Sequence, residues 1–408
     1  MTTADCKTYK MKRILRIISI AVHEMMEGAR DQGVLIFILL LPLVYPLLYA
    51  AIYRNEMVKE VPTAVVDECN SLTSRELLRR FDATDGINIV SRCATMDEAQ
   101  QQMRQMKVFA ILRIPKEYSA DLAQGRQTNV GVYINMASTL YYKSVLLAAN
   151  NVVMDTNKDI SVHRMGGTTT EREREIMRQP IAFEYRPLYN PQSGFASFLI
   201  PPVLMLILQQ TLLLGIGMSM GRSRETYRRQ MHTLYALYQR PLDIIVGKSI
   251  PYFALYVIMA SYAYLFVGPT FGLPSVGDYW TYLSLVVPFL IASIFMGVVL
   301  SCLVFRREDC ILLFVTLSVP MLFISGIVWP ANQIPVFWRY VGYALPSTWG
   351  MNAYVKHVSM GADYNQILPE IRNLWILAAI YFVLAFALYK WRLTLIKRKL
   401  TTLYADES

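Results

Sequence analysis

The stretch Gly33–Tyr53, GVLIFILLLPLVYPLLYAAIY, decides the architecture of this chain. It carries no charge and no polar side chain beyond its tyrosines. A helix of that length rises about 30 Å, the thickness of a bilayer's hydrocarbon core. Five further uncharged apolar stretches follow: Gly194–Ser219, Ser249–Gly272, Trp280–Phe305, Cys310–Trp329 and Leu374–Tyr389. None contains Asp, Glu, Lys, Arg or His. A charge at mid-bilayer costs about 3 kcal/mol on insertion scales, so this absence is what a spanning helix needs. Core helices of a soluble protein are usually shorter and keep a polar stripe. The expected fold is therefore a multi-pass α-helical membrane protein with six transmembrane helices.

Composition agrees: 54% of the residues are hydrophobic and 17% charged. The formal net charge of +10 could point to nucleic acid, but its placement argues against that. Nineteen Lys and Arg lie before the first stretch, between the second and third, between the fourth and fifth, and after the sixth. The opposite short loops hold three: Arg339, Lys356 and Arg372. By the positive-inside rule both termini are cytoplasmic and the long segment after the first span is outside. The first span begins late and lacks a small-x-small cleavage site, so it reads as an uncleaved signal anchor.

Five segments follow. Residues 1–32 hold a cytoplasmic connecting helix, amphipathic over Lys10–Asp31. Its apolar face is Ile14, Ile17, Ile18, Ala21 and Met25, and it is read as lying on lipid headgroups, touching a partner, or both. Residues 33–53 are the first span. Residues 54–192 alternate strand-like and helix-like runs, from Thr63–Asp67 and Ser71–Phe81 to Val130–Asn135, which predicts an extracytoplasmic α/β domain. Residues 193–391 hold five spans, and 392–408 a cytoplasmic tail. Cys69 and Cys93 each fall at or just beyond the end of a predicted strand. Parallel neighbouring strands would bring those ends together, so a disulfide is expected, with two unpaired thiols as the alternative.

Several short motifs dissolve on inspection. Gly217-Met218-Ser219-Met220-Gly221 matches a nucleophile elbow, but it ends a span and reads as helix packing. Gly247-Lys248-Ser249 has the tail of a P-loop, yet Leu242 stands where the first glycine must be. The four histidines have no metal-ligand spacing. No catalytic, cofactor-binding or metal residue is expected. In the second span, Pro201, Pro202, Gln209 and Gln210 either line a solute path or bond a neighbouring helix. Arg222–Arg240 carries an apolar stripe at Met231, Leu234, Tyr235 and Tyr238, fitting a short helix on headgroups or on a soluble motor. Prolines and aromatics over Ser325–Ser347 predict short, half-inserted helices.

With these residues in hand, the chain resembles the permease subunits of ABC-2 type exporters over nearly its whole length. The resemblance rests on Tyr189-Asn190-Pro191, on Arg240-Pro241 and Gly247-Lys248, and above all on the outer re-entrant loop with Gly326, Pro330, Pro335, Trp338 and Pro346. One departure is Arg222-Ser223-Arg224-Glu225-Thr226-Tyr227, which lacks the family's glycine after the acidic residue. The resemblance implies a transport subunit without its own ATPase. It pairs with a second permease copy or paralogue and with separate ABC ATPase subunits that hold ATP and Mg. Arg222, Glu225, Arg228, Met231, Leu234 and Tyr235 would be the coupling contacts. It also implies export of a drug-like or lipid-like solute across a bacterial inner membrane, in some members with a periplasmic adaptor and an outer-membrane channel. The alternative from another class is a membrane-anchored envelope assembly protein that moves nothing. An ion-coupled carrier would be expected to place a carboxylate within its spans.

The basic-residue asymmetry predicts that single cysteines placed at Ser161 and Thr402 label from opposite sides of sealed cells. Labelling of both from outside would overturn the topology.

Overall fold

The computed structural model describes residues 3–53, 57–164, 188–190, 194–229, 240–303 and 307–406. In chain order the elements are α1 (Thr3–Arg30) and α2 (Gln32–Ile52); β1 (Val61–Asp67), α3 (Leu72–Asp82), β2 (Ile87–Arg92), α4 (Met96–Arg104), β3 (Ala110–Ile114), α5 (Tyr118–Ala123), β4 (Gly131–Ile134) and α6 (Thr139–Arg164); then α7 (Phe195–Arg229), α8 (Pro241–Thr270), α9 (Tyr279–Leu303), α10 (Arg307–Ile324), α11 (Val336–Tyr343), α12 (Pro346–Tyr354) and α13 (Tyr364–Asp406). The chain divides into two compact units, one of Met1–Arg54 with Phe195–Ser408 and the other of Asn55–Gly194.

The smaller unit is a four-stranded sheet in the order β2-β1-β3-β4. β1 pairs in parallel with both β2 and β3, and β4 closes the far edge antiparallel to β3. The two crossovers from β1 to β2 and from β2 to β3 run in opposite directions along the sheet. Right-handed connection then puts α3 and α4 on opposite faces. The packing agrees: Leu77, Leu78 and Phe81 of α3 join Val61, Val65 and Leu112 on one face, with Val145 and Val152 of α6. Ala99 of α4 joins Ala64, Val66 and Ile111 on the other. Central strand β1 is apolar on both faces, as a covered parallel strand must be. Helix α3 starts at a reciprocal cap between Ser71 and Ser74, and the Ser74 hydroxyl also donates to Asp67 at 2.8 Å.

Cys69 and Cys93 are free thiols, which corrects the expected disulfide. β1 and β2 are neighbours and their ends are close in register, but a register shift between Thr63 and Ala64 turns Cys93 toward the α4 face. Cys69 packs against the α3 face, with its Sγ 3.4 Å from the Ser119 hydroxyl. The side-chain period of two decides the face, and here it puts the two sulfurs on opposite sides of the sheet.

The larger unit is helical. Among the described residues, five of its helices, α2, α7, α8, α9 and α13, are long and apolar enough to cross a membrane. The expected fifth span is shorter: its apolar helix covers only Asp309–Ile324, about 24 Å at 1.5 Å per residue. The chain then turns through Gly326, whose φ of +84° suits glycine. A 3₁₀ turn at Ala331–Gln333 and helices α11 and α12 follow. Pro335 caps α11 and Pro346 opens α12, where a fixed φ and a missing N–H cost nothing. The Asn352 side chain donates to the carbonyls of Ser325 at 3.0 Å and Thr348 at 2.7 Å, tying α12 back to the end of α10. The expected sixth span belongs to a much longer helix: α13 runs 43 residues without interruption, through the segment expected as a tail.

Helix α7 is the hub. Within its most apolar window, 94% of the residues are buried inside the chain, against 22% for α2 and 28% for α13. Close approach is bought with glycine at Gly215, where any side chain would collide with Ile38 of α2.

The separation of the two thiols predicts that protein denatured under non-reducing conditions alkylates fully at both Cys69 and Cys93. Mass spectrometry of the tryptic peptides reads this directly, and protection of both until reduction would restore the bridge.

Candidate functional site

Charged side chains gather where α1, α7 and α8 meet. α1 lies along the first half of α8, and Gly247 makes that possible. A Cβ there would sit 2.8 Å from Ile20 Cγ2 and 3.1 Å from the Ile17 carbonyl. α1 therefore docks through Ile20 and Glu24, both buried. The face expected from the sequence points the other way: Ile14, Ile18 and Met25 are exposed, as are Leu15, Val22 and Met26. In a membrane-embedded protein such a surface is suited to lipid or to a partner.

At the centre, Glu24 and Lys248 are 4% and 5% exposed at their side chains and lie 2.7 Å apart, Nζ to Oε2. The other carboxylate oxygen accepts from Ser219 Oγ at 2.5 Å and from Tyr252 OH at 2.7 Å. Burial alone would push the Glu24 carboxyl up. The Lys248 ammonium and the hydrogen bonds of Lys248, Ser219 and Tyr252 outweigh it and hold the group below the ordinary carboxylate range. Ser219 thus sits inside a continuous helix and donates to a carboxylate, which is no nucleophile elbow.

Two further ties flank this knot. Arg13 Nε meets Asp243 Oδ1 at 3.0 Å, with the aspartate side chain 1% exposed. Arg222, about two turns before the end of the hub helix, contacts Glu27 Oε2 at 3.4 Å and Asp31 Oδ2 at 3.1 Å. Asp31 does double duty, because its Oδ1 accepts from the Gly33 and Val34 amides and caps the start of α2. One belt of charge thus joins the connecting helix to the starts of α2 and α8 and the C-terminal part of α7. It can transmit a displacement of α1 to three membrane helices together.

The sequence-predicted residues fall elsewhere or only partly here. Of the coupling set, Arg222 is in the belt. Glu225 and Arg228 lie on the last turns of α7, and Met231, Leu234 and Tyr235 lie outside the described residues. Pro201, Pro202, Gln209 and Gln210 are buried within the chain. Gln209 and Gln210 reach Met321 Sδ of α10 at 3.7 and 3.1 Å, and Ser293 of α9 donates to Gln209 at 3.4 Å, so these side chains bond neighbouring helices. Gly326, Pro330, Pro335, Trp338 and Pro346 lie in the turn and short helices after α10. Glu24, Arg13 and Asp243 were missed. The available signals were an acidic residue, Glu24, at the end of an apolar run of α1 and a lysine, Lys248, at the start of a span. Among the described residues, no group of three or more His, Cys, Asp or Glu could hold a metal ion.

Residues 33–387, which include α2, the hub and the short helices after α10, match the model of the ABC-2 family transporter protein family. The chain belongs to the ABC-2 transporter family. It is 20% identical over 339 residues to the probable multidrug ABC transporter permease YbhR of Escherichia coli K12, covering 81% of this chain and 88% of that protein. It is 21% identical over 360 residues to ABC transporter G family member 20 of Dictyostelium discoideum, covering 87% of this chain and 48% of that protein. The belt is accordingly part of the membrane subunit of an ABC transporter.

Removing one partner of the buried pair leaves the other charged and unpaired. Glu24→Ala or Lys248→Ala is expected to cost about 3–5 kcal/mol, and the double change to Met far less. Thermal unfolding of the purified variants measures this. Because the Glu24 carboxyl is held down in the folded chain, its contribution is present at neutral pH and fades on acidification, below about pH 4.

Proposed function

We propose that this chain is the permease half of an ATP-driven exporter. Two copies, or one copy and a paralogue, pair in a bacterial inner membrane, with ATP and Mg held by separate ABC ATPase subunits. Both termini face the cytoplasm, α10 with the short helices beyond it completes a sixth crossing, and the α/β unit lies outside. The substrate is a drug-like or lipid-like amphiphile moved from the cytoplasm or inner leaflet. Family membership carries the transporter reading, and the asymmetry of basic residues supports the orientation. Similarity to a protein named as a probable multidrug permease favours a drug-like substrate.

The belt supplies a mechanical route for this reading. An ATPase pushing from below meets α1 and the Arg222–Arg240 segment first. α1 is clamped by Glu24–Lys248 and Arg13–Asp243, so movement of α1 carries α8 with it. Arg222 carries the C-terminal part of α7 against Glu27 and Asp31. Closure of the motors on ATP would thereby reorient the hub and its neighbours as a group. The chain's own part is to bind, hold register and move, while hydrolysis takes place on the partner.

Glu225→Ala combined with Leu234→Ala is expected to reduce co-purified ATPase and stimulated hydrolysis about tenfold, from the loss of interface anchors, with membrane insertion unchanged. Co-purification followed by transport in proteoliposomes tests it. An unsubstituted chain that inserts normally yet recruits no ATPase would favour the envelope assembly reading.

A further inference from the structure

A groove opens directly beside the ionic knot. Its cause is the break in the chain at Asp31, whose φ of −101° and ψ of 110° interrupt the helix between α1 and α2. The two helices diverge from that point while α8 continues past both. The space left between them is a cavity of about 260 Å³, larger than the 150 Å³ or so of an apolar cavity that takes up benzene. Its floor is Val34, Ile38 and Tyr252, all buried, with Glu24 at one end; its rim is Met25, Leu35 and Leu39, all exposed. A π turn over Ile36–Leu40 shapes the α2 wall, and such bulges recur at functional sites.

We infer that this groove binds one acyl chain of a phospholipid, from the leaflet at the α2 N-terminal end. Three observations identify the occupant. The lining is almost wholly carbon, and both oxygens of the Glu24 carboxylate are already engaged by Lys248, Ser219 and Tyr252, so water finds few partners there. The rim continues into the outward face of α2, where Leu35, Ile36, Leu39 and Leu40 are exposed; in a membrane helix that face meets hydrocarbon. The α2 wall of the groove, Val34 to Leu39, lies within the first two turns of the span, at the depth of the upper chain of a lipid rather than of its headgroup. The inference depends on membrane embedding and not on the direction or substrate of transport.

The full-length protein in phosphatidylcholine nanodiscs, doped with a phosphatidylcholine carrying a diazirine on one acyl chain, tests this. After irradiation and digestion, adducts are expected on peptides containing Met25–Leu39 and Pro251–Leu255. They should exceed those on the outward residues Ile380 and Val383 of α13. Gly28→Leu fills the groove without disturbing the backbone, because a Cβ there stands an ordinary 3.6 Å from Val34 Cγ1. It should lower groove adducts about fivefold, the equivalent of about 1 kcal/mol, and leave those at Ile380 and Val383 unchanged. Leu255→Phe fills the same space from α8 and should do likewise, which keeps the test valid if one variant inserts poorly. Groove labelling no stronger than at Ile380 and Val383, or insensitive to both substitutions, would overturn the assignment.

Discussion

A carboxylate and an ammonium buried together set the terms for everything around them. Charges taken out of water are costly, and their mutual attraction offsets that cost only when geometry is good and every remaining valence is met. Glu24 and Lys248 satisfy this with two further donors, Ser219 and Tyr252. Each of the four groups comes from α1, α7 or α8, so the requirement fixes how those helices lie against one another. Gly247 follows from it, since a larger residue would hold α1 too far away. An apolar seam of the same area would tolerate sliding, whereas a charge pair admits one register.

The membrane unit is organised by the same logic at lower stakes. Polar side chains on the hub helix find partners on neighbouring helices, as Gln209 and Gln210 do with Met321 and Ser293. Within lipid there is little hydrophobic force between helices, so such bonds and close glycine contacts carry much of the specificity. The hub's near-complete burial means that α2, α8 and α13 present more of the surface available to lipid or to a second chain.

Much of the fold was legible because it rests on local period and length. The strands and helices of the α/β unit announce themselves by the alternation of strand-like and helix-like runs. The spans announce themselves by lack of charge. Where the sequence misled, the cause was pairing between distant segments. A bulge of one residue in β1–β2 moved Cys93 to the other face of the sheet. The apolar face of α1 read from periodicity leaves Ile14, Ile18 and Met25 exposed, while the contact with α8 is made by a different face carrying Ile20 and Glu24. Glu24 and Lys248 each stand out only as a charge at the edge of an apolar run, and nothing in either neighbourhood records the partner. The fifth apolar stretch seemed long enough to span because the turn at Ser325–Gly326 has an apolar sequence too. The family resemblance read from the loop after it, in contrast, was sound.

The length of α13 has a mechanical consequence. Forty-three residues make a rod of about 65 Å, roughly twice the hydrocarbon thickness. Near one end it is pinned by Glu370, whose carboxylate meets Lys356 at 2.6 Å. A stiff rod held near one end magnifies rotation into travel. A tilt of about five degrees would sweep its far end through about 5 Å, close to one helical turn. α13 also packs along α9 through the membrane unit, so any such tilt has to carry α9 with it.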